Sequence, residues 1–74
     1  MNSMDRARSA TDDEIISVLD SEWRFTHYVS WKILGNNVKS ADPIFKTKLI
    51  RLTKAGRVIR KPWTIRGQEQ WKLP

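Results

Sequence analysis

The chain has no cysteine and only one histidine. Without cysteine there is no disulfide to staple a small domain and no thiolate to hold a metal. A single histidine does not make a metal cluster. No apolar run approaches the roughly 18 residues that a membrane-spanning helix needs. The opening MNSMDRARSA lacks the apolar stretch of a signal peptide. It reads as a flexible arm, residues 1–10, ahead of a single domain at 11–74. No repeat or low-complexity segment interrupts that domain. No Ser/His/Asp arrangement and no glycine-rich phosphate loop is visible. The reading is therefore not of an enzyme, and no cofactor is expected. A reducing cytoplasm suits such a chain.

What remains is a chain of 74 residues, long enough for one small domain with a modest core. Its net charge of +6 is unevenly placed. Residues 1–37 carry four Lys or Arg against six Asp or Glu, a net of −2. Residues 38–74 carry ten against two, a net of +8. An acidic half joined to a strongly basic half is the electrostatic footprint of a nucleic-acid binder.

The order of elements follows from local signals. Thr11-Asp12-Asp13-Glu14 has the form of a capping box, with acids at the positive end of a helix dipole. Ile15, Ile16, Val18 and Leu19 supply the apolar stripe, so a first helix is expected from about Asp12 to Ser21. Trp23 and Phe25, alternating with Arg24 and Thr26, fit a brief edge strand. Thr26 then caps a second helix, HYVSWKIL, and Gly35 offers a left-handed stop. Asp42-Pro43 signals a third helix, with Asp as the cap and Pro in its first turn. Phe45, Leu49 and Leu52 recur at i, i+4 and i+7 on one face, and Gly56 ends the helix. Beyond it the period changes to two. Val58 to Lys61 and Gln70 to Leu73 form a β-hairpin around a loop at Pro62 to Gln68. The fold class is α+β.

Three helices and a hairpin, with the basic charge on the third helix and the hairpin, resemble a winged helix-turn-helix domain. The residues that carry the resemblance are Phe45, Leu49, Leu52, Gly56 and Val58. In that family the same spacing packs the third helix and returns the first wing strand to the core. The stretch AGRVIRKPWTIRGQEQWKL is similar to the wing of small bacterial regulators of fimbrial operons. It shares Ala55-Gly56, Val58, Arg60, Pro62, Arg66-Gly67, Trp71 and Leu73 with them. The resemblance implies a transcription regulator that binds double-stranded DNA, in some cases beside a protein co-regulator, and a place at the nucleoid. One departure is a connection between the second and third helices about four residues longer than in a tight helix-turn-helix. The wing is also similar to the winged helices that bind left-handed nucleic acid. Those need an Asn and a Tyr where this chain has Lys46 and Ile50, so left-handed duplexes are not expected as partners.

The candidate DNA-binding residues follow from this layout. Lys46, Thr47, Lys48 and Arg51 are expected on the open side of the third helix, where a helix fits the major groove. Ile50 lies on the same side, at the core edge or as an apolar contact. Lys39, Ser40 and Lys54 flank it and suit phosphates. Lys61 and Arg66 belong to the wing, with Arg60, which alternation turns the same way as Val58. Four tryptophans are many for this length. Trp71 is expected in the core, Trp23 and Trp31 in the core or at its rim. Trp63 either folds over the hairpin or stands out as an interaction anchor. The rival reading is a winged-helix adaptor that binds protein, such as a phage or plasmid protein docking on a host factor. No heptad seam or spare apolar helix is left for a strong dimer, so a monomer or weak oligomer is expected.

Overall fold

Capping sets the first half of the chain. A computed structural model describes residues 2–65 and 68–74. Helix α1 spans Ser3–Ser9, with the Asn2 side chain accepting from the Asp5 amide at 2.8 Å. Helix α2 spans Asp12–Val18. Its capping box is closed in both directions: the Thr11 hydroxyl accepts from the Glu14 amide and Glu14 accepts from the Thr11 amide, each at 3.1 Å. Strand β1 is Arg24–Phe25 and runs directly into α3, Thr26–Leu34. A 3-10 turn at Lys39–Ala41 leads into α4, Asp42–Lys54. Strands β2, Ile59–Arg60, and β3, Gln70–Lys72, complete an antiparallel sheet of order β1-β3-β2. The described residues thus form an α+β fold of four α-helices and a small three-stranded sheet. No helix among them is long and apolar enough to cross a membrane.

Residues 2–10 depart from the expected arm. Ala7 and Ala10 are buried in the core, and Met4 packs against it. Seven residues with one fully buried apolar side chain form no helix of their own in water. Packing against the other helices holds α1 in place, and local sequence does not announce that. The domain therefore includes this segment.

Three helix boundaries also move. The first expected helix ends at Val18 and not at Ser21. Leu19 turns to extended backbone and stays buried. Asp20 then accepts from the Glu22 amide at 2.9 Å, a side-chain turn that competes with helix. Thr26 is not a cap, because it is the first residue of α3 and is buried. Ala41, and not Asp42, stands at the α4 cap, because the 3-10 turn feeds straight into the helix. The longer connection is used for that turn, which buries Ala41 and packs Val38 on the core.

Two glycines terminate helices in the left-handed region, Gly35 at φ 78 and Gly56 at φ 76. At Gly56 the Arg57 amide reaches back to the Leu52 carbonyl at 3.0 Å, closing a Schellman-type end. The chain then turns Val58 into the core beside Phe45, Leu49 and Leu52. Trp71 lies at the centre of the sheet and is fully buried. Its cross-strand partners are Arg24 and Arg60.

Candidate nucleic-acid interface

The third helix of the sequence reading is α4. Its exposed stripe is Pro43, Thr47, Arg51 and Lys54, spaced by four, four and three residues along the helix. Phe45, Leu49 and Leu52 face the core opposite, and Ile50 packs at the core edge. The Thr47 hydroxyl donates to the Pro43 carbonyl at 3.0 Å and remains exposed. Lys54 is exposed and makes no ion pair among the described residues. Lys39 is likewise exposed and unpaired on the turn before α4, and Ser40 beside it donates to Met4 Sδ at 3.7 Å.

Two of the expected recognition lysines do not lie open. Lys46 is half-buried, and its ammonium binds Glu69 Oε1 at 2.9 Å. Lys48 is half-buried too, and its Nζ donates to the carbonyls of Arg8 and Ala10, 2.9 Å each. Those carbonyls lie at the C-terminal end of α1, where a cation is favoured by the helix dipole. The α1 helix that sequence reading placed outside the domain is the reason Lys48 turns away from solvent.

Acids of the first half answer basic residues of the second. Arg51 pairs with Asp12, and Arg57 with Asp13 at 3.3 Å. Both acids belong to the first turn of α2. Arg6 pairs with Glu14 and Arg24 with Asp20. The hydrogen bond from Arg6, then that from the Thr11 amide, holds the Glu14 carboxyl below its ordinary range. Asp20 is lowered chiefly by Arg24 and then by the Glu22 amide. Arg6 and Arg24 are raised by the same partners.

Three cations of the β2–β3 hairpin rest against aromatic rings. Lys61 and Lys72 place their ammonium groups 5.8 and 4.9 Å from the centre of the Trp23 ring. Arg60 lies 5.3 Å from that of Trp71. None of the three makes an ion pair among the described residues. Trp63 is 88% exposed and Ile65 71%. Arg60, Lys61, Pro62, Trp63, Thr64 and Glu69 line an open cleft of about 410 Å³. Arg66 lies outside the described residues. Lys72 escaped sequence reasoning because one lysine in a short strand has no periodic partner. Only the register of β3 between β1 and β2 brings it to Trp23.

Compared with known proteins, the chain matches no family model, no curated protein and no solved structure.

Proposed function

We propose that this protein is a winged-helix transcription regulator that binds double-stranded DNA in a sequence-specific way. Helix α4 enters the major groove and the β2–β3 hairpin lies alongside as the wing. The observation that carries the reading is the exposed stripe of α4. Thr47, Arg51 and Lys54 share one face of a thirteen-residue helix whose opposite face is buried. An α-helix fits the width of the major groove, where Arg and Lys reach guanine edges and Thr reaches a thymine methyl. Lys39 ahead of the helix and Lys61 on the wing suit phosphates on either side. The order of α2, α3, α4 and the hairpin is compatible with a winged helix. Lys46 and Lys48 are given structural roles, and Arg51 reaches DNA by exchanging Asp12 for a base or phosphate.

The test is fluorescence anisotropy with a labelled random-sequence duplex over a salt series. With about five phosphate contacts, log K falls against log salt with a slope near −4 to −5. Arg51→Ala with Lys54→Ala removes most of the affinity and leaves the circular dichroism spectrum unchanged. A flat salt profile, or no binding at low salt, overturns the reading. A protein-binding adaptor is the second reading, favoured by the bare side chains of Trp63 and Ile65. On that reading Trp63→Ala abolishes capture of a partner and leaves duplex binding untouched.

A further inference from the structure

The sheet has a second face of which the duplex-binding reading uses only Lys61. Trp71 points into the core, so its neighbours across the sheet, Arg24 and Arg60, share its side. Phe25 with Gln70, and Ile59 with Lys72, are the next pairs in register and point the other way. Extending the register by one residue sets Trp23 beside Lys72. The bond from the Lys61 amide to the Gln70 carbonyl, 3.0 Å, carries the β2–β3 pairing on to Lys61. The outer face therefore has two rows. One holds Trp23, Lys72 and Ile59, and the other holds Phe25, Gln70 and Lys61.

This face is aromatic and basic, with Trp23, Lys61, Gln70 and Lys72 half-buried and Phe25 and Ile59 exposed. Phe25 is 46% exposed and Ile59 38%. No carboxylate is among its six side chains. Lys61 and Lys72 have no anionic partner among the described residues and rest over the Trp23 ring. An apolar protein partner would leave both ammonium groups buried without counter-charge, which is costly. A duplex offers phosphates but no free base faces. An unpaired strand offers both. Its bases stack on aromatic side chains and its phosphates take up lysines.

We propose that the outer face of the sheet binds single-stranded nucleic acid. One base stacks on Trp23 and the next on Phe25, two strand positions away, about 7 Å along the sheet. Lys61 and Lys72 swing off the indole to the phosphates. A half-buried lysine over a ring is a weaker contact than a stacked base with a neutralised phosphate, so the exchange favours the bound strand. The site lies on the side of the sheet away from the core, and at its Phe25 edge it borders the first turns of α4, where Phe25 shares a cleft with Asp42, Pro43 and Lys46. It shares Lys61 with the duplex reading and makes no use of the exposed stripe of α4.

The experiment uses the full chain and a fluorescein-labelled oligothymidylate of roughly a dozen nucleotides. A uridylate of the same length and an abasic strand with the same phosphates run beside it. The thymidylate is expected to saturate at low salt and to bind at least about tenfold tighter than the abasic strand. Equal affinity for the two means that charge alone is at work and overturns the proposal, as does a failure to saturate. The uridylate arm separates RNA from DNA as the natural strand: tighter uridylate binding keeps the site and assigns it RNA. Phe25→Leu and the pair Lys61→Gln with Lys72→Gln are each expected to weaken thymidylate binding about tenfold. Lys54→Ala on α4 is expected to leave it within about twofold, whatever it does to a duplex. Loss of single-strand binding in Lys54→Ala to the same degree places the site on α4 and overturns the proposal.

Discussion

The indole nitrogen of Trp71 donates to the hydroxyl of Thr26 at 2.8 Å, and both groups are buried. One bond thus ties the central strand of the sheet to the first turn of α3, across 45 positions of sequence. Thr26→Val keeps the shape of the side chain and strands the indole N–H without an acceptor. We expect a loss of about 1–3 kcal/mol, the usual cost of an orphaned buried donor. Thr26→Ser restores the acceptor and most of the stability. Urea unfolding of the two variants measures the difference. Equal stability of Val and Ser would show that the bond adds nothing.

Ser30 presents the opposite case. Its hydroxyl is buried in α3 and has no hydrogen-bond partner among the described residues. Ser30→Ala removes a desolvated polar group and improves helix propensity. A gain of about 1 kcal/mol is expected, visible as a raised urea midpoint with an unchanged slope. A destabilised variant would mean that the hydroxyl is satisfied after all.

Lys48 holds two carbonyls at the end of α1. Lys48→Ala frees them and loosens that helix, with an expected cost of about 1 kcal/mol after allowance for solvent screening. Lys48→Met keeps the apolar stem and separates packing from charge. Amide hydrogen exchange in residues 3–9 reads the effect directly. Unchanged protection there, together with weakened duplex binding, would return Lys48 to the DNA-contacting set.

Asp12 competes with DNA for Arg51 if α4 is the recognition helix. Asp12→Asn releases the guanidinium and removes a negative charge beside it. Duplex affinity at low salt is expected to rise by about three- to tenfold. Anisotropy against the random-sequence duplex checks it. An unchanged or lower affinity removes Arg51 from the interface.

Acid should unfold this protein in part through Glu14 and Asp20. Both carboxyls are lowered by arginine partners and backbone amides, so the unfolded chain binds these protons more readily than the folded one. The stability they add is complete above the ordinary carboxylate value of about 4 and is lost as the pH falls through the depressed values. The melting temperature is expected to drop below about pH 4. In Glu14→Gln the capping box persists but the charge is gone, so that drop is shallower. An identical pH profile in the variant would show that Glu14 contributes nothing to it.

Much of the fold was legible because its signals are local. A capping box needs only Thr11 and Glu14, and a left-handed helix stop needs only Gly35 or Gly56. Phe45, Leu49 and Leu52 mark the buried face of α4 by spacing alone. Val58 was expected in the core from the winged-helix resemblance, and Trp71 was expected there too. The candidate site was less legible, because α4 carries cations on several sides and spacing cannot say which of them find acids. Lys46 met Glu69 and Arg51 met Asp12 through contacts 23 and 39 residues apart in sequence.

The sequence by itself determined the charge division, the capping box at Thr11 and the glycine stops at Gly35 and Gly56, and the apolar faces that must pack. These depend on neighbours within a turn or two of the chain. Only the tertiary structure decided that Ala7 and Ala10 join the core, that Lys48 serves α1, and that Trp23 meets two lysines across the sheet. Each of these depends on which surfaces the folded chain brings together. Short helices and two-residue strands have too little local preference to specify that without the packing around them.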